Sequence, residues 1–337
     1  YTLSLHDALP IGDSTGGRKP TLLQLKTGTP VAIGVDITPR ETTIVLADLG
    51  GNLLSEETLP TSPDLEYMNE QILTRVKALA DANQGHDLEV GISIPGIADQ
   101  VTNTVLYVPY FQWVNWDIGH QITRATGLPV TIDNDANAVA LAELWFGADE
   151  VKRTRNFIMV MISEGIGTGI VIDGEVYRGE NGAAGEFGHM YVGENAPVVC
   201  SCGRQDCWEA HASEKAVIRR YLANGDESRS AMVDMDHLIR LAENGEERAT
   251  AILKETANYL GIGISNLIIG FSPQAVVVSG RIVKAWDMIK DDIEAFGRRS
   301  IRQELSGTQI LPSALGDTPT ILGSISLVLA RKFASAS

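Results

Sequence analysis

The sequence predicts an α/β protein of two lobes with a cleft between them. Three observations carry this expectation. Short apolar strands alternate with helical segments, which is the pattern of α/β layers. The alternation runs twice, first over residues 31–146 and again from residue 156. The chain has 337 residues, 44% of them hydrophobic and 21% charged, which is long enough for a large buried core and ordinary for a globular protein.

The elements follow in order. "VAIGVDI" (Val31–Ile37) and "TTIVLADL" (Thr42–Leu49) read as apolar strands, with the turn residues Gly50–Asn52 after them. A helix is expected over Asp64–Ala82, and a buried strand over Leu88–Gly96. A helix at Ile118–Thr126 precedes the strand Pro129–Asp133, and the helix Asn134–Phe146 follows at once. The second block starts with the strand Asn156–Ile162. A hairpin over Gly167–Gly179 turns at Asp173-Gly174. Helices are expected over Glu214–Asn224, Met235–Asn244 and Glu247–Ile269. The strand Gln274–Gly280, a helix from about Val283 and a last helix near Gly323–Phe333 complete the series. No short-period repeat appears.

Charge and cysteine content narrow the possible functions further. There are 27 basic and 43 acidic side chains, a net charge of −16. Such a surface repels phosphate backbones, so this stretch is not expected to bind nucleic acid by itself. No apolar run reaches the roughly 18 residues that span a bilayer, so no membrane contact is expected. Three cysteines cannot close a disulfide set, and their clustering points to metal in a reducing, cytoplasmic compartment. At the start, "YTLSLHDALPI" (residues 1–11) resembles a translated sequencing adapter and is set aside as an artefact. Residues 12–30 read as a Gly/Ser/Pro linker remnant. On this reading the natural chain begins earlier.

All three cysteines fall within eight positions, Cys200, Cys202 and Cys207, with His189 just upstream. Zn²⁺ takes four N or S ligands in a tetrahedron, and this set supplies three thiolates and an imidazole. Four protein ligands leave no position for water, so the ion would be structural, pinning a loop that Gly203 helps to turn. The alternative is three buried thiols packed as small hydrophobes. A second cluster is "IDNDANA". It puts Asn134 and Asp135 at a strand–helix junction, where Asp133 or Asn134 can cap the helix and the dipole favours an ionised Asp135. A carboxylate held there can accept a hydrogen bond from a hydroxyl or take its proton.

"SIPG", "IDNDANAVALAE", "GTGIVIDGEVYRG", "GAAGEFGHM" and "CSCGRQDCWE" together, in this order, resemble the ROK family of repressors, open reading frames and sugar kinases. The resemblance covers nearly the whole chain from about Gly17. It departs at Asp206 and Trp208, neither of them a ligand. It implies a two-lobed, actin- and hexokinase-like (ribonuclease H-like) fold. One lobe would take residues 31–134 with about 320–337, the other 135–319 with the zinc loop 189–207. It also implies sugar contacts by Gly96, Asn134, Asp135, Glu186, His189 and Glu209, with Asp135 matching the kinases' catalytic base. The zinc loop would hold the stretch between Glu186 and Glu209 beside the sugar.

The nucleotide pattern is degraded. Kinases of this family open with Asp-x-Gly-Gly-Thr after a strand, whereas this chain has Asp36-Ile37-Thr38-Pro39-Arg40. Pro39 lacks an N–H and restricts Thr38 before it, so a phosphate-cradling turn is hard to build. A pair of glycines on the adenosine side becomes Gly280-Arg281. Gly165, Gly167 and Thr168 keep the second phosphate loop, but Glu164 sets a negative charge beside it. "GRKPTLLQL" and "SEGIGTGIV" resemble the repressor branch more closely. The resemblance therefore implies the sugar-binding effector part of a repressor of carbohydrate metabolism, in homodimers or homotetramers, reaching DNA only through a missing N-terminal winged helix. The alternative is an ATP- and Mg²⁺-dependent hexose or N-acylhexosamine 6-kinase.

Overall fold

A computed structural model describes residues 9–10, 21–22, 28–223, 233–297 and 307–334. Most of the adapter-like and linker-like stretches, and Asn224 at the expected end of a helix, lie outside the described residues. The first sheet is built on β1 (Ala32–Ile37), every residue of which is buried. Strands buried on both faces take the middle of a sheet. Accordingly β1 pairs antiparallel with β2 (Glu41–Ala47) and parallel with β4 (Glu89–Ile94). β3 (Leu53–Pro60) continues the antiparallel meander, and β8 (Val130–Asn134) adds to β4 in parallel, giving the order β8-β4-β1-β2-β3. The helix α1 (Leu65–Ala82) starts at Asp64, whose carboxylate accepts from the Tyr67 N–H at 3.1 Å, and buries Met68, Ile72 and Val76 one turn apart. A three-stranded meander, β5 (Ile97–Asp99), β6 (Thr104–Val108) and β7 (Trp113–Trp116), extends this lobe toward the cleft. Helix α2 (Ile118–Thr126) leads into β8.

The second sheet repeats the plan. β9 (Phe157–Ile162), again fully buried, pairs antiparallel with β10 (Ile166–Ile172), which turns through Asp173-Gly174 into β11 (Glu175–Val176). Parallel strands β12 (Ala275–Ser279) and β13 (Gln309–Pro312) follow, giving β11-β10-β9-β12-β13. In both sheets an antiparallel meander is followed by two parallel strands, the relation expected of the actin- and hexokinase-like fold. Helices α5 (Trp208–Ala212), α6 (Glu214–Leu222), α7 (Met235–Glu243), α8 (Glu247–Phe271) and α9 (Trp286–Gly297) share one large core with β9, β10 and β12.

Two helices join the lobes, α3 (Asp135–Phe146) and α10 (Pro319–Ala334); the short α4 (Asp149–Lys152) follows α3. Ile321, Ile325, Val328 and Leu329 of α10 pack on Val31, Ala32, Val45 and Ala47 of the first sheet. The approach needs glycine: a Cβ at Gly91 would lie 1.9 Å from the Ser324 carbonyl oxygen, and one at Gly323 2.9 Å from the Ala138 carbonyl carbon. The sequence reading does not include β3, β5, β6, β7 or β13. β3 is almost wholly exposed, so it carries no apolar signal. The last helix begins at Pro319 rather than Gly323, because proline suits a first helical position.

Candidate functional site

The cleft floor is the junction of β8 and α3. Asn134 closes it by making two kinds of contact. Its Oδ1 accepts from the N–H groups of Ala136 (2.9 Å) and Asn137 (3.4 Å), capping α3, while its Nδ2 donates to the Gly96 carbonyl at 3.0 Å. The buried Asp133 anchors the junction from below, accepting from Arg178 Nε at 2.8 Å and Gln100 Nε2 at 2.5 Å. Gly96 is forced: a Cβ there would stand 2.2 Å from the Tyr107 carbonyl oxygen. Asp135 occupies the first turn of α3, with Oδ1 accepting from the Ala136 N–H at 2.8 Å. Burial pushes its carboxyl up to about 7 against that N–H, and the nearby charges of Asp36 and Glu186 add to the rise.

A cavity of about 140 Å³ opens above this floor, and Gly96, Asn134, Asp135, Glu186, His189 and Glu209 all line it. A cavity near 150 Å³ has room for a six-membered ring. These residues bring carboxylates, an amide and an imidazole, which suit a ligand rich in hydroxyls. Glu209 is held rather than loose. Its Oε1 accepts from the Ser201 N–H (3.1 Å) and hydroxyl (3.0 Å), and its Oε2 from the Ile166 N–H (3.3 Å).

Beside the cavity, ligand atoms of His189, Cys200, Cys202 and Cys207 all lie within 4.8 Å of one another. His189 Nδ1 is 3.1 Å from Cys200 Sγ, and Cys202 Sγ is 3.4 and 3.5 Å from the other two sulfurs. Tetrahedral zinc with Zn–S near 2.3 Å separates its sulfurs by about 3.8 Å. The spacing and the Cys₃His donor set therefore fit one Zn²⁺. Gly203, at φ +87°, and the Cys200 N–H, donating to the Arg204 carbonyl at 2.8 Å, make the tight loop. The other ring nitrogen of His189 faces Glu186 at 3.4 Å, so a metal-fixed imidazole would aim that carboxylate.

The residues expected at a nucleotide divide between two cavities. Gly165, Gly167 and Thr168 line the first; Asp36 and Gly280 line a second, of about 370 Å³, which shares Asp135 with it. Thr168 Oγ1 donates to the Gly185 carbonyl at 2.5 Å. Asp36 is buried, which pushes its carboxyl up to about 6 although the Thr320 hydroxyl donates to its Oδ2 at 2.6 Å. At the Thr38–Glu41 turn, Thr38 Oγ1 accepts from the N–H groups of Arg40 (3.4 Å) and Glu41 (3.1 Å). Pro39 offers no N–H. Both cations lining this cavity are already paired. Arg40 binds Glu164 across the cleft, and Arg281 lies 3.6 Å from Glu214 and 3.7 Å from Asp236. Glu164 also holds Lys215 at 3.3 Å.

The ROK family profile matches residues 32–331. The chain belongs to the ROK family. It is 31% identical over 324 residues to the xylose repressor of Bacillus subtilis, covering 94% of this chain and 82% of that protein. Among solved structures it resembles a ROK glucokinase from Streptomyces griseus in complex with glucose and AMPPNP, at 31% identity and a TM-score of 0.75, covering 90% of this chain and 99% of that one. A ROK transcriptional regulator homologous to E. coli MLC gives 26% identity and a TM-score of 0.79, covering 93% of this chain and 81% of that one. Both a sugar-binding regulator and a sugar kinase fit these relatives.

Two features of this ROK chain escape sequence reading. Arg40 and Glu164 are 124 positions apart, so their pairing across the cleft has no local signal. Tyr110, in the turn between β6 and β7, lines the cavity, yet the short turn Pro109–Gln112 matches no motif. No helix among the described residues is long and apolar enough to cross a membrane.

Proposed function

We propose that this chain is the sugar-binding effector part of a ROK transcriptional regulator. The observation that carries this reading is the Thr38–Glu41 turn with its Arg40–Glu164 pair. Phosphoryl transfer depends on backbone N–H groups and cations aimed at phosphate. Here the turn's N–H groups face Thr38 Oγ1, and Arg40 is bound to a carboxylate of the other lobe. A γ-phosphate would have to displace Arg40 and then meet Glu164. The sugar cavity lacks none of its polar groups. A hydroxyl-rich ring is held by Asn134, Asp135, Glu186, His189 and Glu209, with Gly96 letting it approach the backbone. Zn²⁺ bound by His189, Cys200, Cys202 and Cys207 supplies a closed cross-link with no position for water. These residues hold Glu186 and Glu209 on either side of the cavity. Residues 31–134 with 320–337, and 135–319, act as the two bodies that close on sugar, shifting a regulator between two states. Operator contact falls to a separate basic element, because a net charge of −16 disfavours DNA.

A second reading, an ATP-dependent hexose or N-acylhexosamine kinase, is favoured by one observation. Asp135 lines both cavities, and its carboxyl near 7 is suited to take a proton from a sugar hydroxyl at neutral pH. A coupled assay with Mg²⁺-ATP and a panel of hexoses, pentoses and N-acylhexosamines separates the two. The regulator reading expects no turnover. Turnover in the usual range of ~1–10³ s⁻¹, abolished in Asp135→Ala, makes the protein a kinase.

A further inference from the structure

We propose that Tyr110 is an additional sugar ligand, donating its phenolic hydroxyl to one hydroxyl of the bound ring. The inference rests on the sugar-cleft reading and adds a contact from the first lobe's loop. Tyr110 stands in the four-residue turn between β6 and β7, and its neighbours fasten that turn to the lobe. Phe111 stacks on Trp113 at 4.6 Å, and Trp113 meets Trp116 edge-on at 5.1 Å. The two indole N–H groups donate to the Pro63 carbonyl and to Asn69 Oδ1, each at 2.8 Å. Gln112 Nε2 closes the turn on the Pro109 carbonyl at 2.7 Å. The platform is therefore rigid, and Tyr110 is the side chain it sends across the cleft.

On the far side Tyr110 meets the second lobe. Lys215 Nζ lies 4.9 Å from its ring centroid. Gly165 leaves room for the hydroxyl: a Cβ there would sit 3.3 Å from Tyr110 Oη and 2.4 Å from Glu209 Oε2. The phenol oxygen and the Glu209 carboxylate thus flank the same glycine at the cavity wall. Among the described residues, nothing accepts a hydrogen bond from the phenol. Burial, with the carboxylates of Glu209, Asp135 and Glu164 around it, pushes the phenol's titration upward, so it keeps its proton. A half-buried donor beside acceptor-only carboxylates complements a ligand whose hydroxyls both donate and accept. One sugar hydroxyl can donate to a carboxylate such as Glu209 and accept from Tyr110.

The test is calorimetry of the best-binding sugar and its monodeoxy analogues with the wild-type protein, Tyr110→Phe and Asp135→Ala. Tyr110→Phe removes one oxygen and keeps the ring, and its melting curve without sugar checks folding. The expected result is about fivefold weaker binding of the parent sugar, the usual size of one hydrogen bond. One deoxy analogue should bind the wild-type protein and Tyr110→Phe equally, which names the partner hydroxyl. Parent-sugar affinity unchanged in Tyr110→Phe, with Asp135→Ala weakened, overturns the Tyr110 contact and leaves the sugar cleft standing. An equal loss for the parent and every deoxy analogue also overturns it, because no hydroxyl is then specific to Tyr110. A wild-type protein that binds none of the sugars overturns the cleft reading and this contact together.

Discussion

Asp135 is the residue shared by both cavities of the cleft, and its protonation gives a signed expectation. Its carboxyl sits near 7, above the ordinary 3.8, chiefly because of burial. Below pH 3.8 the folded and unfolded states both hold the proton, and the group costs nothing. Between 3.8 and about 7 the folded state keeps a proton that the unfolded state releases, so stability falls as pH rises through that window. Asp135→Asn should flatten that part of a stability-versus-pH curve measured by urea unfolding. Sugar binding should run the other way. An ionised carboxylate is the better acceptor, so affinity should rise about tenfold from pH 6 to pH 8, following the ionised fraction. Equal affinity at the two pH values would remove Asp135 as an acceptor of a sugar hydroxyl. At the neighbouring metal cluster, Cys202→Ser should abolish stoichiometric zinc by elemental analysis and weaken sugar binding, since Cys200 and Ser201 border Glu209. Zinc retained at one ion per chain in that variant would show that Cys202 is not a ligand.

At the scale of elements, the β8–α3 junction was legible because several local signals coincide there. An apolar strand ends at Asp133, a capping residue follows, and the helix begins at once. Asn134→Ala should therefore cost about 1 kcal/mol for the lost cap, with more if the tie to the Gly96 carbonyl matters. Chemical denaturation reads the loss, and an unchanged midpoint would mean that neighbouring groups replace the cap. The Cys₃His cluster was legible for a similar reason: three cysteines fall within eight positions, with one histidine just upstream. β3 was not, because six of its first seven residues face solvent and carry no apolar period. β13 is short, and only Ile310 along it is buried. At the Thr38–Glu41 turn, Pro39 and the missing glycines were readable in the sequence. The occupation of its N–H groups by Thr38 Oγ1 was not, since side-chain direction decides it. Tyr110 and the Arg40–Glu164 pair depend on the two lobes meeting, which no local spacing encodes.

The whole molecule places a small cavity lined by carboxylates, an amide and an imidazole between two similar sheets, and the two arginines of the neighbouring cavity are held in ion pairs. On the proposed reading, its charge of −16 suits a body that binds a neutral sugar and repels phosphate backbones. The two cavities share Asp135, so occupation of either is felt at the same floor. If sugar alone is the ligand, Mg²⁺-ATP should make no difference to its binding. The most direct measurement is a calorimetric titration of a sugar panel into wild-type protein and Asp135→Ala, each with and without Mg²⁺-ATP. The account predicts one sugar site per chain, an affinity indifferent to nucleotide, and a loss of about 1.5–3 kcal/mol in Asp135→Ala from removing a buried charged partner. Sugar binding that appears only in the presence of Mg²⁺-ATP, or that Asp135→Ala leaves untouched, would contradict it.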